Sequence, residues 1–203
     1  MPITIDGLGT ISGVSATGIT TAQTVSASNI TTGTLPKAQL PAGSVLQVVS
    51  TTSSTQTGYS SASFLTINEL TTSITPTSTS SKILIMVSMT IGLPSNAYGF
   101  AKFQRNGSDI AGAKGSATGS SPTAATFEMG VSNSAGSFTQ HAFSNVFMYL
   151  DSPATTSSTS YSIVANAQQT GALTFYINRA QGPNGDANNI SGISTMTLME
   201  IAG

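Results

Sequence analysis

From residue 45 onward the chain is a succession of short apolar runs broken by Ser, Thr, Gly, Pro and Asn clusters. The runs fall at 45–50, 64–70, 82–91, 98–105, 125–131, 143–150, 160–167, 172–178 and 194–201. Short alternating runs bounded by turn residues predict the strands of an antiparallel β-sandwich or barrel. The third run shows the pattern best. Ile83, Ile85, Val87, Met89 and Ile91 share one face, and Leu84 and Met86 add apolar character to the middle of the other. Val146, Met148 and Leu150 opposite Phe147 and Tyr149 repeat the theme, as do Leu173, Phe175 and Ile177 opposite Thr174 and Tyr176. A strand apolar on both faces needs a covering layer beyond its own sandwich, and symmetric subunit packing can supply one. Asn106-Gly107 between two strand-like runs predicts a tight hairpin, because both central residues must take positive φ.

Residues 1–44 behave differently. Large apolar residues recur at Ile19, Val25, Ile30, Leu35, Leu40 and Val45, a spacing of six and then of five. This spacing matches neither the 3.6 period of a helix nor the 2 of a strand. One apolar side chain contributes about 1.5–3 kcal/mol when buried. Ordering the five residues around it costs about 5–10 kcal/mol. Alone, such a segment does not fold. It becomes rigid when identical copies share the apolar positions along an axis, or when it lies on another protein. Leu35-Pro36 and Leu40-Pro41 favour extended backbone. The expectation is therefore an extended arm over 1–44, with Ile19, Val25, Ile30, Leu35 and Leu40 as its attachment residues, and a head over 45–203.

Composition narrows the function. Only 6% of residues are charged and the net charge is −1, so no electrostatic feature points to nucleic acid or an anionic membrane. Ser and Thr make up roughly three residues in ten, a bias that disfavours helices and suits extended chain with turns. There is no cysteine, which removes disulfides and thiolate metal sites, and a single His141 falls short of the usual zinc ligand set. No apolar run has the length of a membrane helix, and the start lacks the basic and apolar regions of a signal peptide.

Several motifs then carry a resemblance. The stretch 74–85 (ITPTSTSSKILI), the hairpin 103–112 (FQRNGSDIAG), the Leu150-Asp151-Ser152-Pro153 turn followed by Tyr161, and the closing run 195–201 resemble fibre and virion structural proteins of tailed bacteriophages. Gly33-Thr34-Leu35-Pro36 resembles the linker that precedes such heads. The resemblance implies an all-β head of jelly-roll or TNF-like type on an extended N-terminal arm, assembled as a homotrimer and located in the virion. It also implies attachment to other virion proteins (tail, baseplate or capsid) through the N-terminus. It carries over no binding residues.

Candidate chemistry is sparse. The carboxylates Asp6, Glu69, Asp109, Glu128, Asp151, Asp186 and Glu200 each have a structural explanation in turn capping or solvent exposure, so a glycosidase pair is not expected. His141 is expected beside a strand, with a metal or anion site on a trimer axis as its alternative. The loop 182–189 has oxygen donors but one carboxylate, which fits turn chemistry better than calcium. Long polar connections at 93–97, 113–123 and 182–189 are candidate receptor loops, with Tyr98, Tyr176, Arg179, Asn184 and Asp186 as their contact residues. The resulting expectation is a trimeric tail-fibre subunit without catalytic residues, metal or cofactor, whose head binds a host surface glycan or protein. A capsid decoration protein and a depolymerase tip are the alternatives.

Overall fold

Alternating burial along each strand builds two antiparallel sheets packed face to face. The computed structural model describes residues 37–94, 97–117, 125–131, 142–168, 173–182 and 190–203. Lys37–Gly203 makes one compact unit. Its strands are β1 (Val45–Ser53), β2 (Thr57–Ser60), β3 (Leu65–Ile74), β4 (Lys82–Gly92), β5 (Tyr98–Arg105), β6 (Ser108–Asp109), β7 (Phe127–Val131), β8 (Phe143–Asp151), β9 (Thr159–Gln168), β10 (Thr174–Ile177) and β11 (Ser194–Ile201). The all-β class and nearly every strand match the sequence expectation. Thr57–Ser60 is an exception, falling between the runs expected at 45–50 and 64–70. This run holds one aromatic residue and becomes a strand by pairing with β10.

Sheet I contains β1, β2, β4, β8, β10 and β11; sheet II contains β3, β5, β6, β7 and β9. Within sheet I, β10 and β11 both run antiparallel to β4 and follow one another along the same edge. Ile177 and Tyr176 pair with Ile91 and Gly92, while Thr195 to Ile201 pair with Ser88 to Lys82. The strands β2 and β1 flank them in the same succession. Sheet I is therefore four strands wide, in the order β1/β2, β11/β10, β4, β8. Sheet II has the order β3, β9, β5, with β6 and β7 also pairing to β5.

The chain leaves and rejoins the long β10/β11 path through a polar node at Asn178. This residue is fully buried and takes φ 64°. Its Nδ2 donates to Ser53 O and Thr55 O, each at 2.9 Å, and its Oδ1 accepts from Ser194 Oγ at 2.6 Å. Its backbone N donates to Thr90 O and its carbonyl accepts from Gly192 N. Buried polar groups must be matched in this way or they cost stability. At the same neck Gly92 admits the backbone of 179–181, because a Cβ there would lie 2.5 Å from Arg179 O.

The core is the space between the sheets. Ile83, Ile85, Val87, Met89 and Ile91 point into it from β4, and Phe103, Tyr161, Ile163, Phe175, Met196 and Leu198 meet them from neighbouring strands. Phe127 of sheet II stacks on Phe147 of sheet I, and Tyr59 stacks on Phe175. Each such side chain contributes about 1.5–3 kcal/mol. One irregularity shapes sheet II: residues 67–70 of β3 lie between pairs that leave Ile163 alone opposite them. That bulge lets both Ile67 and Leu70 reach the core.

Candidate interaction surfaces

Two of the motifs behind the phage-fibre resemblance, the 103–112 hairpin and the 150–153 turn with Tyr161, meet in one clamp. Asn106 and Gly107 take φ 50° and 76°, forming the expected tight turn, and Gln104 and Arg105 pair with Asp109 and Ser108. The turn delivers Arg105 from β5 to Asp151 at the end of β8. Arg105 Nη1 donates to Asp151 Oδ1 at 2.9 Å and Oδ2 at 2.7 Å. Tyr161 of β9 donates its hydroxyl to the same Oδ2 at 2.7 Å. Asn106 Oδ1 accepts from Ser160 N, fixing the hairpin tip to β9. The Φ-x-R-N-G hairpin, the LDSP turn and Tyr161 thus tie sheet I to sheet II. Turn capping was the expected job of Asp151; the structure buries it instead and gives it two donors. Burial and the hydrogen bond to Asp151 push the Tyr161 hydroxyl far above its ordinary pKa.

Three further carboxylates are also held by hydrogen bonds. Asp109 accepts from Gln104 Nε2 at 3.0 Å, from Lys102 Nζ at 2.9 Å and from Lys114 Nζ at 3.0 Å. The Gln104 bond, followed by those from the two lysines, pulls its carboxyl well below the usual range. Glu69 accepts from the hydroxyls of Thr57 and Tyr59. Burial works to raise its pKa, and the two hydroxyls together outweigh it and lower it. Glu200, expected in solvent at the end of the last strand, is fully buried. It accepts from Thr77 N at 2.6 Å, Thr77 Oγ1 at 2.7 Å and Gln47 Nε2 at 2.6 Å. Burial opposes its ionisation, and these donors again win. Carboxylates held by several donors in this way stabilise loops and strand ends.

The expected receptor residues that are described, Tyr98, Tyr176 and Arg179, do not gather on one surface. Tyr98 opens β5 and points outward from sheet II, 44% exposed. Tyr176 points outward from sheet I, with the Arg179 guanidinium 4.4 Å above its ring. Arg179 Nε also donates to Ala180 O at 2.9 Å, and Nη2 donates to Gly182 O. Asn184, Asp186 and His141 lie outside the described residues, as do Ile19, Val25, Ile30 and Leu35. Leu40 is described. It lines a cavity of about 450 Å³ with Leu46, Thr77, Ser78 and Ser81. Beside it, Gly43 N donates to Ala202 O and Ala202 N donates to Ser44 O, which stitches 43–44 to the end of the chain.

The outer face of sheet I is the surface that stands out. Register places Val48 beside Met199, Met199 beside Leu84, and Leu84 beside Leu150. The next row is Ser50, Thr197, Met86 and Met148, and the third is Thr52, Thr195, Ser88 and Val146. Val146 is 64% exposed, Met148 62% and Leu150 45%. Hydroxyl pairs occupy the opposite corner, Ser50 with Thr197 and Thr52 with Thr195, each at 3.0 Å. Lys82, paired with Ile201, is the one charge at the margin of these rows among the described residues. The apolar second faces of 82–91 and 143–150 were legible in the sequence. Val48 and Met199 were not, because only cross-strand register brings them into the same row.

No protein-family model matches the chain, and neither does any curated protein.

Proposed function

We propose that the chain is a virion fibre subunit of a tailed phage, self-assembled as a trimer through the outer face of sheet I. Its arm joins the particle and its head engages a host surface component. The observation that carries this reading is the apolar half of sheet I around Leu84, Met86, Val146, Met148 and Leu150, which none of the described residues covers. Three strand gaps of about 4.8 Å and four residues of rise make the three rows roughly 14 by 14 Å between Cα positions, and apolar side chains hold seven of their twelve places. With its side chains the apolar part approaches the few hundred Å² beyond which a monomer's exposed apolar patch marks an interaction site.

Two further features support association with like chains. The face carries almost no charge, so identical copies meet without repulsion. The outer edge of β8 pairs with no strand among the described residues, and an apolar edge strand attracts a partner. The strand order supports reading the sandwich as a jelly roll, since each sheet interleaves early and late strands: β1/β2 beside β11/β10, and β3 beside β9. The phage-fibre motifs in the clamp support the virion assignment, and three-fold display raises weak single-site affinity through avidity.

Sedimentation equilibrium of the purified full chain tests the assembly. The expected mass is three times the 20.5 kDa chain, with labelled protein decorating intact host cells. A monomer at every concentration removes the trimer, and trimers that bind no cell remove the host-attachment role.

A further inference from the structure

Sheet II carries a row of side chains that assembly through sheet I leaves unused. Leu65 pairs with Ala165, so Phe64, one residue earlier, comes level with Asn166 of β9. Asn166 pairs with Phe100 of β5, and Phe100 pairs with Glu128 of β7. The row Phe64, Asn166, Phe100, Glu128 therefore crosses the outer face of sheet II. Its two aromatic rings stand two strand spacings apart, about 10 Å between their backbones. Tyr98 lies two residues from Phe100 on the same face.

The chemistry of the row is specific. Asn166 is almost fully buried; its Nδ2 donates to Ala62 O at 3.0 Å, and its Oδ1 has no partner among the described residues. An unmatched buried carbonyl oxygen calls for a donor. Lys102 sits 3.9 Å over the Phe64 ring, but its ammonium is already paired with Asp109. Glu128 is exposed and makes no ion pair among the described residues. The row itself thus offers flat apolar faces and hydrogen-bond acceptors, and the nearest cation, Lys102, is engaged by Asp109.

We infer that this row binds a neutral pyranose ring of a host surface glycan, an inference that rests on the host-attachment reading and names its face and ligand. A pyranose has an apolar C–H face that lies against an aromatic ring and a rim of hydroxyl donors. Phe100 and Tyr98 receive the ring face. Glu128 and Asn166 Oδ1 accept from the hydroxyls, the latter once its neighbours part to admit one. An anionic sugar meets the Glu128 carboxylate and is rejected.

The test is calorimetric titration of the full chain with maltohexaose, mannohexaose and galactotetraose, together with amide NMR of isotope-labelled protein. Saturable binding of at least one of them, shifting the Asn166 side-chain amide and the Phe100 amide, is expected. Glu128→Gln and Phe100→Ala should each weaken it at least tenfold and Tyr98→Ala about threefold, while Arg179→Ala leaves it unchanged. Glu128 and Tyr98 are exposed, so those two variants remain informative if Phe100→Ala misfolds. No saturable binding of any of the three, still resonances at Asn166, or unaltered affinity in Glu128→Gln each overturns the inference. Its failure is separable from that of the attachment reading. Cell adhesion that survives Glu128→Gln sinks the site alone, whereas sugar binding without cell adhesion sinks host attachment alone.

Discussion

Val164 and Val146 sit at equivalent places, each on the outward face of a strand in one of the two sheets, yet Val164 is 3% exposed and Val146 64%. The difference lies in what covers each sheet. Over sheet II the connection from β2 to β3 folds back, anchored by Ala62 on Asn166 and by the Phe64 ring under Lys102. Lys102, Asp109 and Lys114 then present a charged cluster to water. Over sheet I no described segment of the chain does the same, and apolar side chains remain open. A sheet covered by its own connection shields its outward apolar side chains; one left open leaves them to water or to a second chain.

The sharpest way to break that contrast is to charge the open face. Val146→Asp with Met148→Asp should convert the proposed trimer to monomers while far-ultraviolet circular dichroism stays unchanged. The same charges at Thr66 and Thr71, exposed on sheet II, should leave the sedimentation profile as it is.

Next in size is the clamp that ties the two sheets together. Asp151→Ala strands the Arg105 guanidinium and the buried Tyr161 hydroxyl, at a cost of about 3 kcal/mol, the low end for a broken buried pair because Arg105 is partly solvated. For a head of this size the corresponding fall in Tm is about 6–12 °C by scanning calorimetry. Tyr161→Phe removes one hydrogen bond and should cost about 1 kcal/mol.

Uncovering sheet II is a smaller change. Phe64→Ser should cost about 2 kcal/mol of apolar burial and raise amide exchange along β9. The two faces would then resemble one another, and weak additional self-association is the expected sign.

The smallest effect is electrostatic. Asp109, Glu69 and Glu200 all have depressed pKa values in the folded head. Their contribution to stability is present above the ordinary carboxylate range and is lost as pH falls through and below it. Tyr59 moves the other way. Burial and the hydrogen bond to Glu69 push it up to about 12, so its contribution holds below pH ~10 and is lost as pH rises toward 12. Thermal melts should therefore be flat near neutrality and fall at both extremes. Asp109→Asn, which removes one of the three depressed carboxylates, should reduce the acid slope.

Much of the fold was legible along the chain. Strands 82–91 and 98–105 appear at Lys82–Gly92 and Tyr98–Arg105, and the Asn106-Gly107 turn has the backbone its residues favour. Thr57–Ser60 was not legible, because Gly58 and two hydroxyl residues carry no strand signal until β10 lies beside them. The motifs of the hairpin and the LDSP turn were visible as motifs, but their joint role was hidden. Arg105, Asp151 and Tyr161 are separated by up to 56 positions and meet only in the folded head. Of the candidate site, Tyr98 could be named from its polar flanks. Asn166 could not, since an asparagine within an apolar run gives no hint that one of its polar atoms will lack a partner.

By itself the sequence determined where the chain is extended and where it turns, because alternation and turn chemistry act between residues close in the chain. It also determined that β4 and β8 have more apolar surface than one core can use. The pairing order of the strands, the rows across each sheet and the choice of which face stays open were decided by tertiary structure alone. They depend on register between strands far apart in the chain, where a shift of one residue exchanges the inside for the outside.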